Sequence, residues 1–424
     1  LQKSKKYGKQ PEATPLPDVP STLIGYNGTR PIYTPDNAKH IFVCGTTGSG
    51  KTVALSNYIK RAINYNYPLL LVDGKGDIGG GSMLDIVQKL HAGTGRRLYV
   101  VNLTAPEQSC HYNPFRETSP TIVKDMLVNL TNWNEEYYKL NAERYMQRLV
   151  LLLNQANKPL SLKTIVRYMA VKRFTELSAE LFKAGVIDRD DHADNVEIVG
   201  TSGKVSENSV ARFSLIAESE LGHIFHEDGV DIYKAVQERA TILFILNPLI
   251  YPELSPLLGR LILIDAKKAV SKLFTQNPGR SFFILDEINV YASSALIDLV
   301  NKSRSAEVTC ILATQSLSDL ASAEDDNFRE QVIENCNNYI VMRQNSAINS
   351  EAWANILGTR NTMEITYQLQ AQGGMTGETG LGSAKRVREY IYHPDDIKDL
   401  GTGKAFFLSR DSGQRCKVAI HKPF

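Results

Sequence analysis

The chain has 424 residues, length enough for about two or three domains with a real core. Its net charge is only +2, so global basicity excludes nothing and supports nothing; any nucleic-acid contact must be local, in a groove or pore. Five scattered cysteines with no C-x-x-C pair read as reduced thiols of a cytosolic protein, and no run of about 18 apolar residues spans a membrane.

Residues 1–38 read as a lead-in. Lys3, Lys5, Lys6 and Lys9 form a basic cluster, and Pro11, Pro15, Pro17 and Pro20 favour an extended, semi-rigid linker. Ile41-Phe42-Val43-Cys44 then forms a short apolar strand that runs into Gly45-Thr46-Thr47-Gly48-Ser49-Gly50-Lys51-Thr52. This octet fits G-x-x-x-x-G-K-[ST], and residues 53–62 leave it with helical spacing. A glycine-rich loop between strand and helix can wrap a polyphosphate, with N–H groups at the positive helix end aimed at the anion. Lys51 is expected to neutralise the β/γ-phosphates, and Thr52 to hold Mg²⁺ through its hydroxyl. The chain reads as a P-loop NTPase.

Two further buried strands, 68–73 and 98–102, alternate with a helix over 83–90 and predict a parallel α/β sheet. From 118 to 232 the pattern changes to helices alone, at 119–130, 135–155, 161–170, 174–184 and 207–220. So long an interruption predicts an all-α insertion with a body of its own. Inside it Asp188, Asp190, Asp191, His192 and Asp194, and separately His223 and His226, lack any recognisable metal-ligand motif; acidic clusters between helices are usually solvated loops or caps.

The sheet resumes at 240–246. Ser281-Phe282-Phe283-Ile284-Leu285-Asp286-Glu287 is an apolar strand ending in two acids, the expected second half of the site. Asp286 would bind Mg²⁺ or a water on it, and Glu287 would polarise the attacking water. The strand 308–313 ends in Thr314-Gln315, where a glutamine can reach the γ-phosphate or that water. A strand over 338–342 ends at Arg343. Residues 370–383 read as a glycine-rich mobile loop trailed by Lys385, Arg386 and Arg388, a candidate DNA contact. Residues 404–409 and 416–421 predict a terminal hairpin.

These motifs together resemble the type IV secretion coupling proteins, the TraG/TraD-like conjugative ATPases of the FtsK–HerA superfamily. The likeness covers most of 36–424. It rests on HIFVCGTTGSGKT at 40–52, VDGKGD at 72–77, Tyr112-Asn113-Pro114-Phe115, FILDE at 283–287, Ser303-Arg304-Ser305, Ala313-Thr314-Gln315-Ser316-Leu317, and the tail from Tyr392-His393-Pro394-Asp395-Asp396-Ile397 through Leu400-Gly401. The resemblance implies a RecA-like P-loop domain in two parts, 39–117 and 233–424, around an all-α domain at 118–232. It implies ATP and Mg²⁺ as cofactors, a ring of six, and an N-terminal membrane anchor outside this sequence. Its expected place is the cytoplasmic face of the bacterial inner membrane. There it would deliver single-stranded DNA with its relaxase, and relaxosome proteins, to secretion-channel components. Arg304 matches the position from which such rings offer an arginine to a neighbour's nucleotide, with Ser303 where many members carry glycine; Arg343 is the alternative. A coupling ATPase for protein effectors and a nucleotide-dependent assembly scaffold remain the competing readings, and Glu287 counts against the scaffold because a switch needs no base.

Overall fold

The computed structural model describes residues 18–130, 133, 135–321, 327–372 and 375–424, with the backbone alone at 204–210, 212, 364–372 and 375–384. In chain order the first part holds β1 (Ser21–Asn27), β2 (Arg30–Pro35), β3 (Ile41–Cys44), α1 (Lys51–Asn64), β4 (Leu69–Asp73), α2 (Met83–His91) and β5 (Leu98–Asn102). Helices α3 (Pro120–Asn129), α4 (Glu136–Gln155), α5 (Leu162–Met169), α6 (Val171–Lys183), α7 (Arg189–Ala217) and α8 (Ile232–Gln237) follow. Then come β6 (Thr241–Ile245), α9 (Leu254–Leu273), β7 (Ser281–Asp286), α10 (Ser294–Ser303), β8 (Val308–Thr314), α11 (Phe328–Asn335), β9 (Asn338–Val341) and α12 (Ala347–Leu357). The chain ends with β10 (Thr359–Gln372), β11 (Met375–Tyr390), α13 (Pro394–Lys398), β12 (Lys404–Ser409) and β13 (Arg415–Ile420).

One 11-stranded sheet runs β2-β1-β13-β12-β9-β3-β8-β7-β4-β6-β5. From β9 to β5 every pairing is parallel; β12, β13, β1 and β2 extend it antiparallel. The apolar runs are continuous because both faces are covered. Ile41, Val43, Leu69 and Leu71 face Leu55, Ile59 and Val87 of α1 and α2, whereas Phe42, Cys44, Leu70 and Val72 face the core shared with α9, α10 and the helical segment. This is the expected mixed α/β fold with a mostly parallel sheet and a helical insertion.

Two expectations are corrected. Residues 21–35, read as linker, form the edge hairpin of the sheet, with Pro31 and Pro35 in the outermost strand, where a missing N–H costs no ladder bond. Residues 1–17 lie outside the described residues. Of the stretch 370–388, read as a mobile loop, residues 370–372 and 375–388 belong to a long β10–β11 ribbon whose strands pair with each other, Thr359 opposite Tyr390 and Gln372 opposite Met375. The sequence of β10 does alternate, Met363, Ile365, Tyr367, Leu369 and Ala371 with polar residues between them, whereas β11 opens on a polar, glycine-rich run that gives no such signal. The acidic cluster takes the capping role expected of it: the Asp188 side chain accepts the Asp191 N–H as N-cap of α7, and the residues after it open that helix. Asp191 and Asp194 pair with Arg148, and His192 shares a hydrogen bond with Ser178.

The Tyr112-Asn113-Pro114-Phe115 stretch also gains a role. It leads into the helical segment beside the strand end that leaves it, with a bridge between Tyr112 and Val230. Buried Lys268 of α9 lies 2.8 Å from Asp231 Oδ2 and 2.8 Å from Asp265 Oδ1, and donates to the Pro114 carbonyl at 2.7 Å. The Tyr112 hydroxyl donates to Asp265 Oδ2.

Candidate nucleotide site

The parallel strands place their carboxyl ends along one edge, where ligands of open α/β sheets bind. There the loop 45–50 leaves β3, Asp286 and Glu287 leave β7, Gln315 leaves β8, and Arg343 and Gln344 follow β9. The loop is braced by its neighbours. The Gly45 N–H donates to the Thr314 carbonyl, and the Thr46 N–H to that of Arg343. The Gly403 N–H donates to the Ser49 carbonyl, and the Thr402 hydroxyl to that of Gly48. A Cβ at Gly45 would lie 2.6 Å from Ser49 Oγ and 2.7 Å from Met342 Cβ, so only glycine allows this close passage. Gly50, at φ 107, starts α1 in a backbone region that favours glycine, and has no side chain to cap the helix. The first N–H groups of α1 therefore suit an external anion.

Lys51 is buried, and its Nζ donates to Glu287 Oε1 at 2.7 Å, with Asp286 Oδ1 at 3.8 Å. Glu287 adopts φ 51 and ψ 52, a left-handed conformation that turns its side chain back along the sheet edge. Gln315 joins the same oxygen: its Nε2 donates to Glu287 Oε1 at 3.2 Å, and its Oε1 accepts the Thr47 hydroxyl at 3.2 Å. Lys51, Asp286, Glu287, Gln315 and the loop are thus brought together, with Thr52 in the first turn of α1. Glu287 Oε2 and Thr46 Oγ1 are buried without a hydrogen-bond partner among the described residues. Burial, with Asp286 beside it, pushes the Asp73 carboxyl up to about 7, and burial also raises Asp286 against the pull of Lys51 and Lys75.

Arg304 is not brought there. It is exposed, follows α10 and precedes β8, at the amino edge of the sheet. Its charge is felt by buried His40, just before β3. The seven-residue strand β8 separates it from Gln315 by roughly 20 Å. Arg343 lies at the carboxyl edge instead, its carbonyl on the P-loop. Two residues escaped the sequence reading. Gln344 donates to the Gln315 carbonyl at 3.2 Å. Lys75 lies 3.7 Å from both Asp286 Oδ2 and Glu287 Oε1. Its signal was the glycine-flanked turn at the end of the strand 68–73.

Residues 280–401 match the family model described as the TraM recognition site of TraD and TraG. That match supports a coupling protein of the TraG/TraD type. An uncharacterized protein of Mycoplasma pneumoniae is 31% identical over 142 residues, which are 34% of this chain and 88% of that one. Among solved structures, the bacterial conjugative coupling protein TrwBdeltaN70 aligns with a TM-score of 0.65 at 15% identity, over 93% of this chain and 88% of that one. TrwB in complex with ADP and Mg²⁺ aligns at 0.63, 15% identity, over 96% and 94%. VirB4 of Thermoanaerobacter pseudethanolicus aligns at 0.59, 11% identity, over 96% and 97%. At these identities the structural likeness establishes the fold. Among the described residues, no helix is long and apolar enough to cross a membrane.

Proposed function

We propose that this coupling protein binds and hydrolyses Mg-ATP, and uses the energy to recruit and pump relaxase-bound single-stranded DNA toward a type IV secretion channel. The observation that carries the reading is the convergence of Lys51, Asp286, Glu287 and Gln315 on one P-loop. The residues fit the nucleotide: no atom lies within 4 Å of where a Cβ on Gly48 would sit, and Thr46 Oγ1 and Glu287 Oε2 are buried polar atoms in need of partners. The solved relative with ADP and Mg²⁺ supports the same ligands here.

In this reading Gly45 to Lys51 hold the phosphates, and Thr52 and Asp286 hold the ion. With nucleotide and ion held there, Lys51 would pair with the phosphates in place of its contact with Glu287. Glu287, freed of the ammonium, accepts the proton of the attacking water, while Gln315 orients that water from the strand beside it. An arginine from a neighbouring subunit completes the site in a ring of six, Arg304 being the exposed candidate and Arg343 the alternative. Residues 118–232 act as a helical cargo-recognition domain, and 39–117 with 233–424 as the motor. The matched family description supports relaxosome partners, and the coupling role supports a place at the cytoplasmic face of a membrane.

Steady-state ATP turnover with and without single-stranded DNA tests this. Turnover that rises with DNA and vanishes in Lys51→Ala is expected. DNA-insensitive turnover in assembled rings would replace the DNA cargo with a protein one.

A further inference from the structure

Lys75 stands on a backbone built to hold it. Beyond β4 the chain turns over the ends of two neighbouring strands, and glycines flank the lysine on both sides. A Cβ on Gly74 would lie 2.8 Å from Glu287 Cβ, and one on Gly76 would lie 2.5 Å from the Leu246 carbonyl oxygen. The turn is also tied down by hydrogen bonds. The Lys75 N–H donates to Asp73 Oδ1 at 2.9 Å, and the Thr104 hydroxyl donates to the Gly76 carbonyl at 2.8 Å. The side chain crosses the acids, 3.7 Å from each, and stays 35% exposed. Lys51, by contrast, is 4% exposed and grips Glu287 at 2.7 Å.

The difference matters. Lys75 pairs with Asp286 and Glu287 loosely, at 3.7 Å, whereas Lys51 hydrogen-bonds Glu287 at 2.7 Å. Lys75 also stays partly exposed, whereas Lys51 is buried. An ion bound by Asp286 would take over the charge balance on that carboxylate. The ammonium is then left beside the position of the terminal phosphate, on a chain clamped at both ends.

On the proposed nucleotide reading, we propose that Lys75 is a second phosphate-binding cation, supplied by the same subunit, that distinguishes a nucleoside triphosphate from a diphosphate. Lys51 carries the affinity common to both. Lys75 carries the increment that the γ-phosphate adds, and so reports the state of the nucleotide to the strand ends of β4 and β7. A charge-assisted contact of this kind corresponds to about a ten- to hundredfold preference.

The test is calorimetric titration of the full chain with Mg-ADP and with the non-hydrolysable Mg-ADPNP. Wild type is expected to favour ADPNP. Lys75→Met should lose that preference by about tenfold or more while its ADP affinity stays within about twofold. Lys75→Arg keeps the charge and should retain part of the preference, which separates loss of the cation from damage to the turn. Equal losses for ADP and ADPNP in Lys75→Met, or an unchanged ratio, would overturn the proposal, as would a wild type that binds both alike. If wild type bound neither nucleotide, or Lys51→Ala bound both as wild type does, the nucleotide site itself would fall and this proposal with it.

Discussion

The two edges of the parallel sheet use similar side chains to opposite ends. At the amino edge Asp36 is wholly buried and every contact is matched. Its carboxylate takes the Thr22 hydroxyl at 2.8 Å, Arg61 Nε at 2.7 Å and the Tyr67 hydroxyl at 3.1 Å, and its carbonyl takes the Thr309 hydroxyl. At the carboxyl edge Glu287 is almost as buried, yet one oxygen gathers Lys51, Gln315 and Lys75 while the other has no partner among the described residues. Its backbone is left-handed as well. A saturated carboxylate fastens the fold, whereas a crowded and half-orphaned one at the edge where ligands bind is kept for a ligand.

The strongest break of this division concerns arginine. Arg304 lies at the fastening edge, so any catalytic role must be played in another subunit's site. In assembled rings Arg304→Ala is expected to cut turnover by roughly 10³–10⁵. Mixing it with Lys51→Ala subunits should restore part of the activity, because some interfaces then pair an intact loop with an intact arginine. Normal turnover of Arg304→Ala in confirmed rings would move the role to Arg343, at the other edge.

Glu287→Gln sharpens the contrast from the functional side. Turnover should fall by about 10²–10⁴, with Mg-ADPNP affinity retained and no loss of stability in urea. Asp36→Ala should do the reverse. It strips Arg61 of a buried partner, and unfolding in urea should show a loss of about 3 kcal/mol. The smallest effect is a pH dependence. Burial, with Arg304 adding to it, lowers His40 to about 4, so the fold favours a neutral ring whose Nδ1 accepts the Cys310 N–H. That contribution is complete above about pH 6.5 and is lost as pH falls toward 4. His40→Asn, which tolerates the local φ of 43, should flatten the acid limb of a stability–pH curve.

What the sequence disclosed divides along physical lines. The strands at 41–44, 69–73 and 281–286 were legible because burial on both faces writes continuous apolar runs, and the P-loop because few residues besides glycine can take its path. The helical insertion was legible in outline, though α7 begins at Arg189, well before the periodic stretch at 207–220, since its first half is polar and capped by acids. The β1–β2 hairpin was hidden by its prolines. Lys75 was hidden because its importance lies in the register that sets Asp73 opposite Asp286, a long-range fact with no local pattern. Arg304 was found by its motif, but which edge it occupies depends on the direction of β8.

Helix α9 joins two features described separately. Near its end Lys268 and Asp265 grip both chain crossings of the helical segment; nearer its start Gly259 lets it press on Tyr291, where a Cβ would approach to 2.4 Å. Tyr291 in turn donates its hydroxyl to the Asp286 carbonyl at 2.9 Å. From residue 259 to 268 the helix measures about 14 Å, with buried faces on both sides and its one proline, Pro256, in the first turn before this stretch. It is a stiff rod with one end in the stalk of the insertion and the other against the strand that carries the acids. Under the proposed function, force on the helical segment has a short, unbroken mechanical path to Asp286 at the end of β7.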